Sequence, residues 1–309
     1  MASRFRRKVV DASGTVLPYS ESLESLVRLK LDEVPACQVV LCGEIHTDPH
    51  AASGALQLLN AIYSKFGENK SGSAERVALS LEFFETDTQL VLDEYLAGLI
   101  SEEEFLQLSR PPSNYATQYR GLVEFCRQRK LRVIAANAPR RYVKMIRRTG
   151  RDKLGESLLD YRARALLPPL PIAGASSQYE RKFIQTMQQL RSNPQEQRPV
   201  PASMLDAQSL WDATMAWNVS RALDAGSHDR DGEAAASLVF HVTGSFHVEH
   251  KLGIHEHLQR YRPNTQILTF VFRPMDELAE MSSAEDADTH TELRGLADYT
   301  ILNLTPADP

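Results

Sequence analysis

The chain has 309 residues, 42 % of them apolar and 24 % charged, proportions of a globular protein large enough for a sizeable core. A net charge of −5 favours no polyanionic partner, and the short basic run at 4 to 8 (RFRRK) reads as a frayed terminus rather than a nucleic-acid arm. No apolar run is long enough for an integral membrane segment, and Cys37, Cys42 and Cys126 are spaced for neither a disulfide framework nor a zinc knuckle.

Residues 1–36 read as an N-terminal extension, followed by an α/β domain over 37–309. QVVLC (38–42) is a predicted strand ending at Gly43, and 51–66 a predicted helix, with Leu56, Leu59, Ile62, Tyr63 and Phe66 at helical spacing. A second strand is predicted at about 76–82, closing on Glu82. Thr86 can cap the next helix, and Ser101 with Glu104 forms a capping box for another. Residues 115–129 predict a helix, and LRVIAA a third strand that ends at Asn137. Proline-dense links on both sides then mark 150–225 as a mainly helical lobe. SLVFHVTG (237–244) and TQILTFVF restore strands with a helix between them, 280–292 is acidic and reads as an exposed loop, and DYTILNL predicts a last short strand.

The repeated order of strand, turn and helix predicts a largely parallel β-sheet core with flanking helices and the inserted lobe. In such sheets the strand C-termini share one edge, and ligands bind beyond it. Four polar clusters end strands there: GEIH (43–46), LEF (81–83), NAPR (137–140) and GSFH (244–247). Gly43 permits a tight exit from its strand, and Glu44 and His46, two apart in an extended segment, share a face. A carboxylate with an imidazole can ligate a metal or act as a base with its orienting group. Asp48, before a proline, reads as a turn residue, and His50 as a helix-start residue or a further ligand.

Glu82 lies among apolar neighbours, where a carboxylate requires a partner such as Arg140 or a place in the cleft. Arg140, beside Asn137, is a suitable fork for a carboxylate or propionate. His247 follows a glycine turn, whereas His241, His250, His255 and His257 read as structural. Gln208 and Asp212 lie one helical turn apart, with Trp211, Met215 and Trp217 forming either core packing or a cofactor wall. The sequence has no GxSxG, P-loop, GxGxxG or CxxC motif.

In order, VVLCGEIHTDPH, ALSLEFFETDTQLVLDEYLAG, VIAANAPRRYVKMIRRTG, AQSLWDATMAW and VTGSFHVEHKLGIHEHL resemble the ChaN-like haem-binding family of the Tiki superfamily. The resemblance covers residues 39 to about 258. It implies a parallel-sheet core with a helical lobe, and a haem or iron-handling function with haem bound by a homodimer. By that resemblance the motif residues fall on Glu44, His46, Glu82, Asn137, Arg140, Gln208, Asp212 and His247, with Tyr179 as the candidate haem-ligating tyrosine. The wider superfamily contains metal-dependent proteases and erythromycin-esterase-like hydrolases. The alternative it implies is therefore a metal-dependent or acid–base hydrolase using Glu44, His46, Glu82 and His247, with His46 and His247 on a divalent metal. The chain departs from the family in having His50 where a histidine pair is common, and GSFH in place of Gly-Asn-Gly-His. The bacterial members are outer-membrane lipoproteins; here the N-terminus shows neither a secretion core nor a lipidation cysteine, so the cytoplasm is the default expectation. Organellar import also stays open, because the first eight residues are basic and contain no acid.

Overall fold

The computed structural model of the chain describes residues 7–17, 23–67, 77–155, 160–190, 199–224, 236–274 and 293–303. Seven strands form one sheet: β1 (Arg7–Asp11), β2 (Cys37–Glu44), β3 (Val77–Glu85), β4 (Val133–Asn137), β5 (Leu238–Gly244), β6 (Gln266–Pro274) and β7 (Tyr299–Asn303). Their order is β1-β7-β6-β2-β5-β3-β4, and every pairing is parallel except β1 with β7. The chain leaves β2 for β3 and β4 on one side, then returns to insert β5 between β2 and β3. That reversal sets the C-terminal ends of β2, β5 and β3 side by side, the position where open sheets of this kind hold ligands.

Strand alternation builds two cores. On one face Val40, Cys42, Leu79, Leu81, Phe240 and Phe270 pack with α1 (Leu23–Glu33) and α2 (Pro49–Phe66). The helices α3 (Gln89–Leu96), α4 (Glu102–Ser109), α5 (Tyr115–Gln118) and α6 (Arg120–Arg129) follow β3 and supply aromatic residues to the same core. On the opposite face Val39, Leu41 and Val239 meet α10 (Ala202–Ala222) and α11 (Ile254–Tyr261). Alongside α10 lies α7 (Arg140–Thr149), reached from β4; α8 (Tyr161–Arg164) and α9 (Ser177–Gln189) precede α10. None of the described helices is long and apolar enough to cross a membrane.

At the helix starts Asp48, expected in a turn, is a cap, and the capping box expected at Ser101 forms. The side chain of Asp48 caps α2 by accepting from the His50 N–H at 2.8 Å, and Pro49 occupies the first turn. Ser101 and Glu104 form the capping box of α4.

Other boundaries differ. The residues before 37, expected to be an extension, carry β1 and α1: β1 completes the sheet against β7, and α1 packs on α2. The helical region expected at 150–225 is not set apart from the sheet, because Met215, Ala216 and Val219 of α10 are buried against strand residues. β3 continues past Glu82 to Glu85 through a register shift opposite β4. The helix expected at 115–129 divides at Tyr119 into α5 and α6. Gly43 remains inside β2; a Cβ there would lie 2.7 Å from Val248 Cγ2 and 2.9 Å from Ser245 Cα, so close approach of the chain after β5 is what requires glycine. The acidic segment 280–292 lies outside the described residues.

Candidate functional site

At the C-terminal edge the end of β2 supplies Glu44, buried at 2 % exposure, and His46 just beyond it. His46 Nδ1 lies 2.6 Å from Glu44 Oε1, and the Tyr119 hydroxyl donates to the same oxygen at 3.1 Å. Burial, joined by the Glu44 charge, pushes the Tyr119 phenol well above its ordinary value, so it remains a proton donor. Nδ1–H of His46 thus faces a carboxylate, on a side chain that is 51 % exposed. The hydrogen bond to Glu44 raises the His46 pKa. A Cβ on Gly244 would lie 3.1 Å from His46 Nε2 and 3.0 Å from Cε1, so the missing side chain there makes room for the imidazole.

Glu82 reaches the same place from β3. Its Oε2 accepts from Thr243 Oγ1 at 2.6 Å and from the Gly244 N–H at 2.7 Å. Its Oε1 lies 3.6 Å from His247 Nε2. Burial pushes the Glu82 pKa up, but the charges of His247 and His46 outweigh that effect and lower it below its ordinary value.

His247 follows β5 in a short turn and is oriented from below by α10. Its Nδ1 lies 2.5 Å from Oδ1 of fully buried Asp212, and the Gln208 amide is 3.3 Å from the same nitrogen. Burial would depress this imidazole; Glu82 and Asp212 overcome it and hold its pKa up at about 9. The turn is fixed by Lys182, whose ammonium donates to the Phe246 carbonyl at 2.7 Å and pairs with Glu249 at 3.1 Å.

Two groups of contacts, Glu44–His46 and Glu82–His247–Asp212, therefore meet at this edge, linked by the charge interaction between His46 and Glu82. Tyr179 extends the second: its hydroxyl donates to Asp212 Oδ2, and the residue is only 1 % exposed. That placement differs from the expected haem-ligating role, because the oxygen is turned inward onto a carboxylate. Among the described residues, no group of three or more His, Cys, Asp or Glu side chains is arranged to hold a metal ion. His46 and His247 each engage their own carboxylate, and Glu82 faces both.

Next to the cluster a cleft of about 550 Å³ is walled by Phe83, Pro111, Pro112 and Trp211, with Glu82 and His247 exposed to it. Arg110 and Arg140 line its rim. Arg140 is paired with Glu85 and not with Glu82, and its side chain stays 61 % exposed. Arg110 Nη2 bridges Glu85 and Asp87 at 3.1 and 2.7 Å. Asn137 lines the cleft, but its Oδ1 accepts locally from the Ala138 N–H at 2.8 Å.

Sequence reasoning missed Tyr119, Phe83, Glu85, Thr243 and Lys182. Thr243 was accessible by parity, being two residues beyond His241 on the α10 face. Tyr119 and Lys182 enter only through the packing of helices, which no local spacing records. The other histidines stay outside the cluster: His241, beneath it, contacts Ser80 Oγ at 2.8 Å and is held down to about 4 by burial, while His257 is buried on α11.

The family model described as haem-binding uptake, Tiki superfamily, ChaN matches residues 31–258. No curated protein gives a significant sequence match. Among solved structures, one described as cofacial heme binding to ChaN of Campylobacter jejuni is similar at a TM-score of 0.63 and 16 % identity. The match covers 97 % of this chain and 98 % of that one, and at this identity it shows a shared fold.

Proposed function

The chain belongs to the ChaN family of haem-binding uptake proteins, and from that membership we propose that it binds haem beyond the C-terminal edge of its sheet, with His46 as the iron ligand. The observation that carries this reading is the His46 imidazole itself. Its Nδ1 is held by Glu44, and the side chain is half-exposed; a carboxylate placed in this way orients and strengthens a metal-binding histidine. Phe83 stands edge-on to His46 with ring centroids 5.6 Å apart and continues into the cleft, where Pro111, Pro112 and Trp211 supply apolar walls. The exposed Arg140 guanidinium lines the same cleft and is the residue that would hold a propionate of bound haem. Tyr179, turned onto Asp212, is unsuited to the same ligand role without rearrangement. Bound haem supplies an iron centre whose axial ligand sets its spectrum and potential.

Haem titration of the purified chain should give a saturable Soret shift. His46→Ala should change the band and weaken binding by more than about tenfold, and Glu44→Gln by about 10- to 100-fold. An absent Soret shift would defeat haem binding itself; an unchanged spectrum in His46→Ala would move ligation elsewhere. Sedimentation of the loaded protein tests the homodimer that the family resemblance implies.

A second reading, metal-free acid–base hydrolysis, is favoured by one observation. His247, held protonated by a pKa of about 9, stands 3.6 Å from ionised Glu82, so an acid and a base face the same cleft. In this reading Glu82 takes a proton from water and His247 donates one to the leaving group. A chromogenic ester such as p-nitrophenyl acetate should then be cleaved by the wild type and about 10²- to 10⁴-fold more slowly by Glu82→Gln. Equal rates in the two proteins would remove the reading.

A further inference from the structure

The sequence of α7, RRYVKMIRRT, holds five cations and no acid. Val143 and Ile146 pack with Ala207, Leu210 and Ala213 of α10, which fixes the rotation of the helix. Arg140, Lys144 and Arg148 follow one another at intervals of four residues, so they form one stripe about 12 Å long, and all three are exposed. Arg140 and its exposed neighbour Arg141 are paired with Glu85 and Asp87. Among the described residues, Lys144 and Arg148 form no ion pair. Arg147 lies over the Trp211 ring, 5.5 Å from its centroid, so its charge is held in place without being neutralised.

Exposed apolar side chains adjoin this helix. Asp87 accepts from Arg110 at 2.7 Å as well as from Arg141, which ties the end of α4 and the start of α3 to the start of α7. Leu108 stands just before Arg110 and Leu90 just after Asp87, and they are 55 % and 70 % exposed. That combination narrows the partner. A nucleic acid would use the cations and gain nothing from the leucines. A lipid interface takes both, the cations through anionic headgroups and the leucines at the acyl boundary. The whole chain, at net charge −5, is repelled by an anionic surface, so contact has to run through a face of reversed sign. With no described helix able to cross a bilayer, the contact through this face is peripheral.

We propose that α7, with the adjoining ends of α3 and α4, is a docking face for an anionic lipid bilayer. Lys144 and Arg148 meet the headgroups, and Leu90 and Leu108 enter the interface beside them. Arg140 belongs both to the stripe and to the cleft lining, so docking brings the cleft to the lipid surface, where an amphipathic ligand passes between the two. The docking itself does not rest on haem binding at His46.

The test uses the full chain without haem and vesicles of phosphatidylcholine, either alone or mixed with phosphatidylserine. The chain should sediment with the mixed vesicles and not with phosphatidylcholine alone, and rising salt should release it. Lys144→Gln combined with Arg148→Gln should weaken partition by about 10- to 30-fold, the loss expected for two cations at an anionic surface, with thermal melting unchanged. Lys8→Gln combined with Lys130→Gln makes the same change of net charge elsewhere and should bind like the wild type. Leu90→Gln combined with Leu108→Gln should weaken partition by about tenfold through lost apolar burial. The proposal is overturned by absence of sedimentation with the mixed vesicles, by a Lys144 and Arg148 double variant that binds as tightly as the wild type, or by unchanged partition in the leucine variant. A DNA duplex that binds the chain more tightly than the vesicles do would also overturn it, making the face a nucleic-acid surface. Failure of haem to bind His46 would leave every one of these results unaffected.

Discussion

Between pH 6.5 and 9.5 the folded protein is expected to lose about 3 kcal/mol of stability through a single side chain, His247. Its imidazole rises from the ordinary 6.5 to about 9 on folding, because the Glu82 and Asp212 charges overcome the effect of burial. A group raised in this way binds its proton more tightly when folded. Its contribution is therefore complete below the unfolded value of 6.5 and disappears as pH climbs through about 9. At about 1.4 kcal/mol per tenfold, that interval gives roughly 3 kcal/mol. His247 is only 8 % exposed, so solvent screens little of it.

Two neighbouring groups fix the acid side of the curve. Glu82 is lowered on folding, so its contribution is present above about 4.5 and is lost as pH falls beneath that. His241 behaves oppositely to His247: burial holds it down to about 4, so protonation of the unfolded chain below 6.5 works against folding. Stability should accordingly peak at about pH 6 to 7. Urea unfolding at pH 6.5 and 9.5 measures the alkaline limb, with His247→Gln as the control that should flatten it. A wild-type midpoint that does not fall between those pH values would contradict the assigned pair.

Much of this arrangement is readable from residues alone, for an identifiable reason. β2 and β5 are apolar runs ending in glycine-containing polar clusters, and parallel pairing carries such ends to one edge without further information. The convergence of Glu44, His46, Glu82 and His247 follows from that topology. β1 and α1 were not legible: RKVVD is five residues long, and its partner strand β7 lies at the opposite end of the chain. The pairing of Arg140 with Glu85 was hidden because β3 bulges after Leu81 and runs three residues beyond its expected end. The inward direction of Tyr179 was equally inaccessible, since it depends on how α9 packs across α10 and on the buried acceptor Asp212.

Asp212→Ala is expected to destabilise the fold by about 3–5 kcal/mol, the largest effect of any single change in the site. The carboxylate is fully buried in α10 and accepts from two groups at once, His247 Nδ1 and the Tyr179 hydroxyl. Its removal leaves a protonated imidazole with Glu82 as the remaining facing carboxylate, and leaves a buried phenol without its acceptor. Tyr179→Phe should be far milder, at about 1 kcal/mol, because it removes a donor while the Asp212–His247 pair survives. The double variant should not show the sum of the two losses. Once Tyr179 is phenylalanine no hydroxyl is stranded by the loss of Asp212, so the two sites should couple by about 1 kcal/mol or more. Asp212→Ala should also shrink the alkaline loss assigned to His247, since one of the two charges that raise its imidazole is gone. Urea unfolding of the four proteins at pH 6.5 and 9.5 reads both effects together. Strict additivity with an unchanged pH slope would mean that Asp212 merely fills space, and that His247 is held by Glu82 alone.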